Sequence, residues 1–469
     1  MRRSALWAVM LLFSPVIASA SAPKARACED GASAALLGSQ CATVDVPLRH
    51  ADPSGEQIAL FLRRIPASAD VPRRGEVWLI SGGPGESGAS LYPLIQTYQR
   101  AFPGFDLVIP DHRGTGRSSR ICPIQEAPES PAGTGLADAE WGPCIGSMYA
   151  NLQRTSAFSI TEAAQDLGIL MSEADRSGQV LLYGVSYGTQ LALRSLQVNE
   201  LDVDGLILDG LVPPETTETW DLSRRTALVD QVGRQSMDER SLRQCRTLLA
   251  VKDAAWQRDV PGGDLRRFFA ALLSFPTLRD RMPKIVRDLS EGDTRTLVAT
   301  VKDWNVALAQ LGQAGNNQPA LPLVMLIAAS ENNARPELSM ETVNEEAKDA
   351  LFVSPIPGLL VSGSVPSYPR DIWFGKTPDT LPRTLILQGT LDPNTAYAGA
   401  QEHAALLRRS GPVTFHTVDR GAHLLPLVAP GCFVTAVGSF IAGGVVSERC
   451  VEPASEREGS QGPRKTRKR

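Results

Sequence analysis

A serine, an aspartate and a histidine stand in three turns that each follow an apolar, strand-like run. Gly184-Val185-Ser186-Tyr187-Gly188 comes after Val180 to Tyr183 and before Ala192, Leu193 and Leu196, which recur at helical spacing. A G-x-S-x-G between a strand and a helix predicts a sharp, strained turn with its serine held out above a helix N-terminus. The flanking glycines lack a Cβ, which lets the strand and helix pass close to that turn. Ser186 is therefore the expected nucleophile. The plain alternative is a tight turn that merely contains a serine.

A hydroxyl is a poor nucleophile until a base takes its proton, and histidine has the pKa for that task. Five histidines are available. His50 precedes the core strands, His112 sits in a charged turn, His403 lies in an Ala/Leu-rich helix and His416 lies inside a strand. His423, in Arg420-Gly421-Ala422-His423-Leu424 just past that strand, is the expected base. The third member must be a carboxylate that fixes the imidazole's tautomer and stabilises the imidazolium. Asp392 fits, in the turn after Gln388-Gly389-Thr390-Leu391, and Asp209 at the end of an earlier strand is the rival acid.

An oxyanion needs two preorganised N–H donors, and losing one typically costs about 10² to 10³ in rate. Tyr187 at the helix N-terminus supplies one. The Gly-rich loop Ser81-Gly82-Gly83-Pro84-Gly85-Glu86-Ser87-Gly88 supplies the other, from Gly83 or its neighbour Gly82. That loop also matches a dinucleotide fingerprint, Gly83-x-Gly85-x-x-Gly88, with Asp111 after the next strand. Pro84 opposes a phosphate cradle, because it removes a donor and stiffens the turn. An oxidoreductase is thus the weaker reading, and so is a catalytically dead fold used for binding, which the intact Ser/Asp/His set opposes.

The elements that must position these residues alternate in type. Cys41 to Leu48 and Gln57 to Arg64 predict an antiparallel pair turned by Asp52-Pro53-Ser54-Gly55. Strands follow at Glu76–Ile80, Phe105–Ile109, Val180–Tyr183, Val203–Leu208, Arg383–Gln388 and Val413–Val418. Helices fall at Thr161–Ala174, with Thr161 or Ser159 as N-cap, and at Cys432–Ile441. Such alternation implies a mostly parallel sheet with right-handed crossovers. Residues 123–160, rich in Pro, Gly and Ala, read as an irregular excursion. From Pro213 the texture becomes amphipathic and helical, as in Arg224–Met237 and Leu265–Leu273, which predicts a helical cap inserted between two strands. The expected organisation is an export segment at 1–20, core at 28–212, cap at 213–380, core again at 381–453 and a basic, disordered tail at 454–469.

With 469 residues, 43% hydrophobic and 21% charged, the composition is that of an ordinary globular protein. A net charge of −4 gives no reason to expect a nucleic-acid partner. Arg2 and Arg3 precede an apolar run from Ala5 to Ile17, and Ala18-Ser19-Ala20 has the small residues of a cleavage site. That run is too short to span a bilayer, so the protein is expected to be secreted or periplasmic, without stable membrane insertion. Export makes disulfides the default for its seven cysteines. Connectivity is not fixed by sequence. Three local pairs suggest themselves: Cys28–Cys41, Cys122–Cys144 and Cys432–Cys450, each closing a loop of roughly 15 to 25 residues, worth about 3 kcal/mol. Cys245 is left over and reads as a buried free thiol.

The order Ser186, Asp392, His423 is that of the α/β-hydrolases. Together with Ser81-Gly82-Gly83-Pro84-Gly85, Asp111-His112-Arg113-Gly114-Thr115-Gly116-Arg117-Ser118 and Gly184-Val185-Ser186-Tyr187-Gly188, the chain resembles the proline iminopeptidases. It resembles more closely the secreted bacterial tripeptidyl aminopeptidases, and the likeness covers nearly the whole mature chain. The resemblance implies an α/β-hydrolase fold with a helical cap. It also implies a serine exopeptidase that removes amino acids or short peptides from free N-termini of a peptide substrate, without metal or cofactor. In the family, acidic cap residues hold the substrate's ammonium. Glu331 is the first candidate here and Glu86 the second. Two departures stand out: Ser81 replaces the usual histidine of the loop, and Glu86 stands where a small residue is common. Asp111 and Arg113 read as organisers of a turn. The runner-up function is an esterase for small acyl esters, since the same triad serves both reactions.

Overall fold

The computed structural model describes residues 25–28, 36–251, 254–312, 318–361 and 365–453. The expected export segment and basic tail lie outside the described residues. Among the described residues, ten strands form one sheet in the order β1-β2-β3-β5-β4-β6-β7-β8-β9-β10. They are β1 (Arg26–Ala27), β2 (Gln40–Pro47), β3 (Gln57–Ile65), β4 (Gly75–Ile80), β5 (Phe105–Pro110), β6 (Gln179–Val185), β7 (Gly205–Asp209), β8 (Thr384–Gly389), β9 (Val413–Asp419) and β10 (Arg449–Val451). Strands β1, β2 and β3 are antiparallel to their neighbours. From β5 to β10 every pairing is parallel.

The central strands read as continuous apolar runs because helices cover both faces, and alternate residues serve opposite layers. Trp78, Ile80, Leu182 and Leu208 pack with the helices Ile160–Ser172 and Tyr187–Val198. Val77, Leu79, Leu181 and Ile207 pack with the helices Ile95–Ala101 and Pro430–Ile441. Ser159, not Thr161, caps the helix Ile160–Ser172, accepting from Glu162 N at 3.3 Å.

Between β7 and β8 the described residues hold helices and loops but no strand. This insertion has its own apolar cluster around Phe268, Phe269, Ile285 and Phe352, into which Leu391 and Ala396 of the core also reach. One of its helices, Leu321–Glu331, instead sends Leu323, Leu326 and Ile327 into the main core. The insertion and the sheet therefore share packing and are not separate globules.

Two expectations need correction. Residues 123–160 are not simply irregular: Asp138–Ala150 and Leu152–Ser156 are helical despite Gly142, Pro143 and Gly146. Burial of Cys144 and Met148 in the main core, with the Cys122–Cys144 cross-link, overrides poor local propensity. The strands β1 and β10 were not foreseen, because two- and three-residue strands exist only through their pairing with β2 and β9. Disulfides hold both places: Cys28–Cys41 beside β1, and Cys432–Cys450 between the last helix and β10. Cys245 is buried and free. No helix among the described residues is long and apolar enough to cross a membrane.

The turn after β5 is fastened by buried charge. Arg113 donates to both carboxylate oxygens of Asp166 at 2.7 and 2.5 Å, and to the carbonyls of Leu48 and Ala157 at 2.6 Å each. Removing one partner of such a pair leaves an uncompensated charge and unpaired carbonyls. Arg113→Ala is expected to cost about 3–5 kcal/mol of unfolding free energy, measurable by urea denaturation.

Candidate active site

Strand β6 ends at Val185, and Ser186 turns the chain with φ 56° and ψ −126° into the helix Tyr187–Val198. The motif's glycines are there because nothing larger fits. A Cβ on Gly184 would lie 2.3 Å from Gly188 O, and one on Gly188 would lie 2.5 Å from Ile80 O. The serine thus sits at the helix N-terminus with the Tyr187 amide in its first turn. The Gly-rich loop approaches from β4, and a Cβ on Gly82 would stand 3.1 Å from Ser186 Cβ. Ser81 pins that loop by donating from Oγ to Glu86 O at 2.9 Å.

The loops after β8 and β9 bring Asp392 and His423 together, with His423 Nδ1 2.8 Å from Asp392 Oδ2. Asp392 is buried and accepts four further hydrogen bonds. Asn394 N and Thr395 N donate to Oδ1 at 2.7 and 2.8 Å; Thr395 Oγ1 and Gln388 Nε2 donate to Oδ2 at 2.7 and 3.3 Å. Burial acts to raise the Asp392 carboxyl, but the charge and hydrogen bond of His423 with the Thr395 bonds outweigh it, and the net shift is downward. Burial acts to lower His423, and the charge and hydrogen bond of Asp392 outweigh it, so its pKa is raised above 6.5. With Nδ1 engaged by the carboxylate, Nε2 is the atom left to exchange a proton.

Ser186, His423, Gly82 and Gly83 line one cavity of about 610 Å³ between sheet and insertion. Its walls are mainly apolar, with Leu222, Leu311, Val324, Met325 and Ile356 among them. Glu86 is the carboxylate among the described lining residues, and Arg225 the guanidinium. Burial raises Glu86 against the lowering effects of His423 and the nearby Ser90 hydroxyl.

Glu331, the first-choice amine anchor, does not line this cavity. It is buried beside Arg194, whose Nη2 stands 4.0 Å from its Oε2, with the Tyr368 phenol near it. Burial pushes its carboxyl up to about 7 against the lowering effect of Arg194, and its Oε2 has no hydrogen-bond partner. The family resemblance made it a candidate as an acid of the cap and gave no sign of Arg194, more than a hundred residues away. The other histidines are occupied: His50 bonds Asp166, His112 bonds Arg113 O, His403 bonds Val212 O and His416 bonds Ser447 O. Asp111 accepts from Gly88 N at 2.7 Å and Arg117 N at 2.8 Å, so the acid and third glycine of the nucleotide fingerprint bond each other. Burial pushes the Cys245 thiol up to about 12, far from a nucleophile's range.

Residues 77–430 match the family model for the α/β hydrolase fold. The chain belongs to that family. This α/β hydrolase is 29% identical over 195 residues to serine protease Hip1 of Mycobacterium tuberculosis, a match covering 38% of this chain and 36% of that one. It is 28% identical over 199 residues to the tripeptidyl aminopeptidase of Streptomyces lividans, covering 39% and 37%. The matched segment therefore spans little more than a third of those relatives. A solved esterase from Thermogutta terrifontis superposes with a TM-score of 0.37 at 15% identity, over 86% of this chain and 98% of that one.

Two supporting residues escaped the sequence reading. Thr395 braces Asp392 and carried no motif. Gly210 stood in view beside Asp209 and reads only as a turn. A Cβ on Gly210 would lie 2.9 Å from His423 Cε1, and its φ of 62° already disfavours a side chain. Gly210→Ala is expected to push the imidazole aside and lower turnover by about 10²-fold or more, with thermal stability also lowered by the side chain at positive φ. In the unmodified enzyme the base must be neutral. Because His423 is raised, the rate is expected to fall as pH drops through a midpoint above 6.5, read from the acid limb of kcat/KM.

Proposed function

We propose that this α/β hydrolase is an exported serine exopeptidase acting on free N-termini through an acyl-enzyme on Ser186. His423 Nε2 takes the Oγ proton as Oγ attacks the scissile carbonyl, and Asp392 holds the imidazolium that forms. The oxyanion is met by the Tyr187 amide and by Gly83 or Gly82. His423 returns the proton to the leaving amine. Water, deprotonated by the same base, then attacks the acyl carbonyl and releases Ser186.

The observation that carries this reading is Glu86 on the wall of a mainly apolar cavity. Burial acts against the charged form of this carboxylate, and a substrate ammonium beside it would favour that form. Arg225 on the same wall suits a second polar group of a peptide. Glu86 also takes over the amine-holding part first assigned to Glu331. A Cβ built on Gly82 would stand 3.1 Å from Ser186 Cβ and 3.7 Å from Glu86 Oε2, so the carboxylate cannot be farther from the serine than the two together. Each further residue between amine and scissile bond adds about 3.3–3.6 Å of chain. That favours removal of a single residue over removal of three. Export is supported by the leader-like pattern of residues 1–20 and by the three disulfides.

The apolar walls also suit a second reading, an esterase for small acyl esters. Purified protein assayed on aminoacyl, prolyl and tripeptidyl chromogenic amides, free and N-acetylated, beside a short acyl ester, separates the two. Hydrolysis of the free-amine amides alone is expected, abolished by Ser186→Ala. Glu86→Gln is expected to lower kcat/KM on them by roughly 10- to 100-fold, the loss of one charge-assisted bond. Ester turnover with every amide untouched would move the protein to the esterases.

A further inference from the structure

A second carboxylate lies beneath the base. Asp209 ends β7, is fully buried, and is followed by Gly210, on which a Cβ would lie 2.9 Å from His423 Cε1. Its Oδ2 accepts from Tyr183 Oη at 2.9 Å and from Leu425 N at 3.2 Å, and Tyr98 Oη stands 3.3 Å behind Tyr183 Oη. Leu425 is two residues past His423, and between them Leu424 is held at φ 66°, a costly conformation for a leucine. The loop carrying the base is thus pulled onto Asp209 against backbone strain. The backbone of the same residue also reaches the nucleophile, since Ser186 N donates to Asp209 O at 2.9 Å.

We infer that Asp209 is a positioning residue for His423: through Leu425 N it fixes the loop of the base, and its carboxylate adds a second negative charge to stabilise the imidazolium. The inference rests on the proposed Ser186–Asp392–His423 triad and on no particular substrate. The groups that bear on the imidazole are Asp392, Asp209, Arg225 and Glu86. Those that bear on Asp209 are Tyr183, His423 and Asp392, with Tyr98 one hydrogen bond further off. Burial raises Asp209 to about 7 even though Tyr183, His423 and Leu425 N favour its charged form. Its help to the base is therefore complete only above that value and fades as the carboxyl takes up a proton. The acid limb then contains two coupled ionisations, belonging to the cluster as a whole.

Asp209→Asn tests this cleanly, because one amide oxygen can still accept from both Tyr183 and Leu425 while the charge is gone. The rate of Ser186 modification by a fluorophosphonate, followed from pH 5 to pH 9, reads the activated serine without any choice of substrate. Modification of the unmodified enzyme at Ser186 and none in Ser186→Ala keeps the triad reading. Absence of modification in the unmodified enzyme would overturn that reading and this inference with it. Given modification, Asp209→Asn is expected to lower the plateau rate roughly tenfold, as for loss of one pKa unit of stabilisation. Its acid midpoint is expected to move to lower pH, with a single ionisation. Tyr183→Phe, which leaves the carboxylate but removes a donor that keeps it charged, is expected to move the Asp209-linked step of the acid limb to higher pH while the alkaline plateau is kept. It also answers the question if Asp209→Asn fails to fold. A profile and plateau unchanged in either folded variant would mean that Asp209 only fills space, and would overturn the inference.

Discussion

Ser186 can point into the cavity only because its backbone is held at φ 56°, ψ −126° by packing on both sides. Such a conformation costs of order 1–3 kcal/mol for a residue with a Cβ. It persists because Gly184 and Gly188 let the turn close against itself and against the Ile80 carbonyl of β4. The Thr189 N to Ser186 O bond starts the helix immediately. The same packing sets how near the loop after β4 can come, and so where Gly82, Gly83 and Glu86 stand. Loosening that turn would move Ser186, Gly82, Gly83 and Glu86 together.

Buried charge is handled in two different ways. Away from the cavity it is neutralised. Arg113 is matched to Asp166, and Arg194 takes both oxygens of Glu215 at 2.8 and 2.9 Å. These pairs tie loops and helices from distant parts of the chain, and each would be strongly destabilising if half of it were lost. Around His423 the balance is left open. Asp392 and Asp209 both bear on one imidazole, and Glu86 lines the cavity beside it. Excess negative charge near a base that must become a cation is what proton transfer from a serine requires.

The insertion contributes walls and also braces. Arg225 reaches from it to the Asn394 carbonyl and, at 2.9 Å, to the Pro393 carbonyl, inside the turn that carries Asp392. Ala320 N bonds Gly85 O at 2.9 Å, fastening the helix Leu321–Glu331 to the Gly-rich loop. The acid's turn and the oxyanion loop are therefore each clamped from above, so cavity shape and catalytic geometry depend on common contacts.

The residues that must meet strict local demands were legible in the sequence. Apolar runs bounded by Gly and Asp located β2 to β9, and each triad member stood in a turn at a strand's carboxyl end. Local demands of this kind leave a trace in neighbouring residues, because a turn or a buried strand constrains residue type position by position. What depended on distant partners left no such trace. Glu331 looked like a free acid until folding set Arg194 and Tyr368 against it. Residues 138–156 looked irregular until burial and a disulfide compensated for their poor propensity. Asp209 showed itself as a rival acid, yet only the fold put Tyr183 beneath it and Leu425 N above it. The sequence alone determined which polar residues stand in turns at the strands' carboxyl ends and their order along the sheet. The tertiary structure decided which acids are neutralised and which still face the cavity, because a charge's partner is chosen by proximity in space.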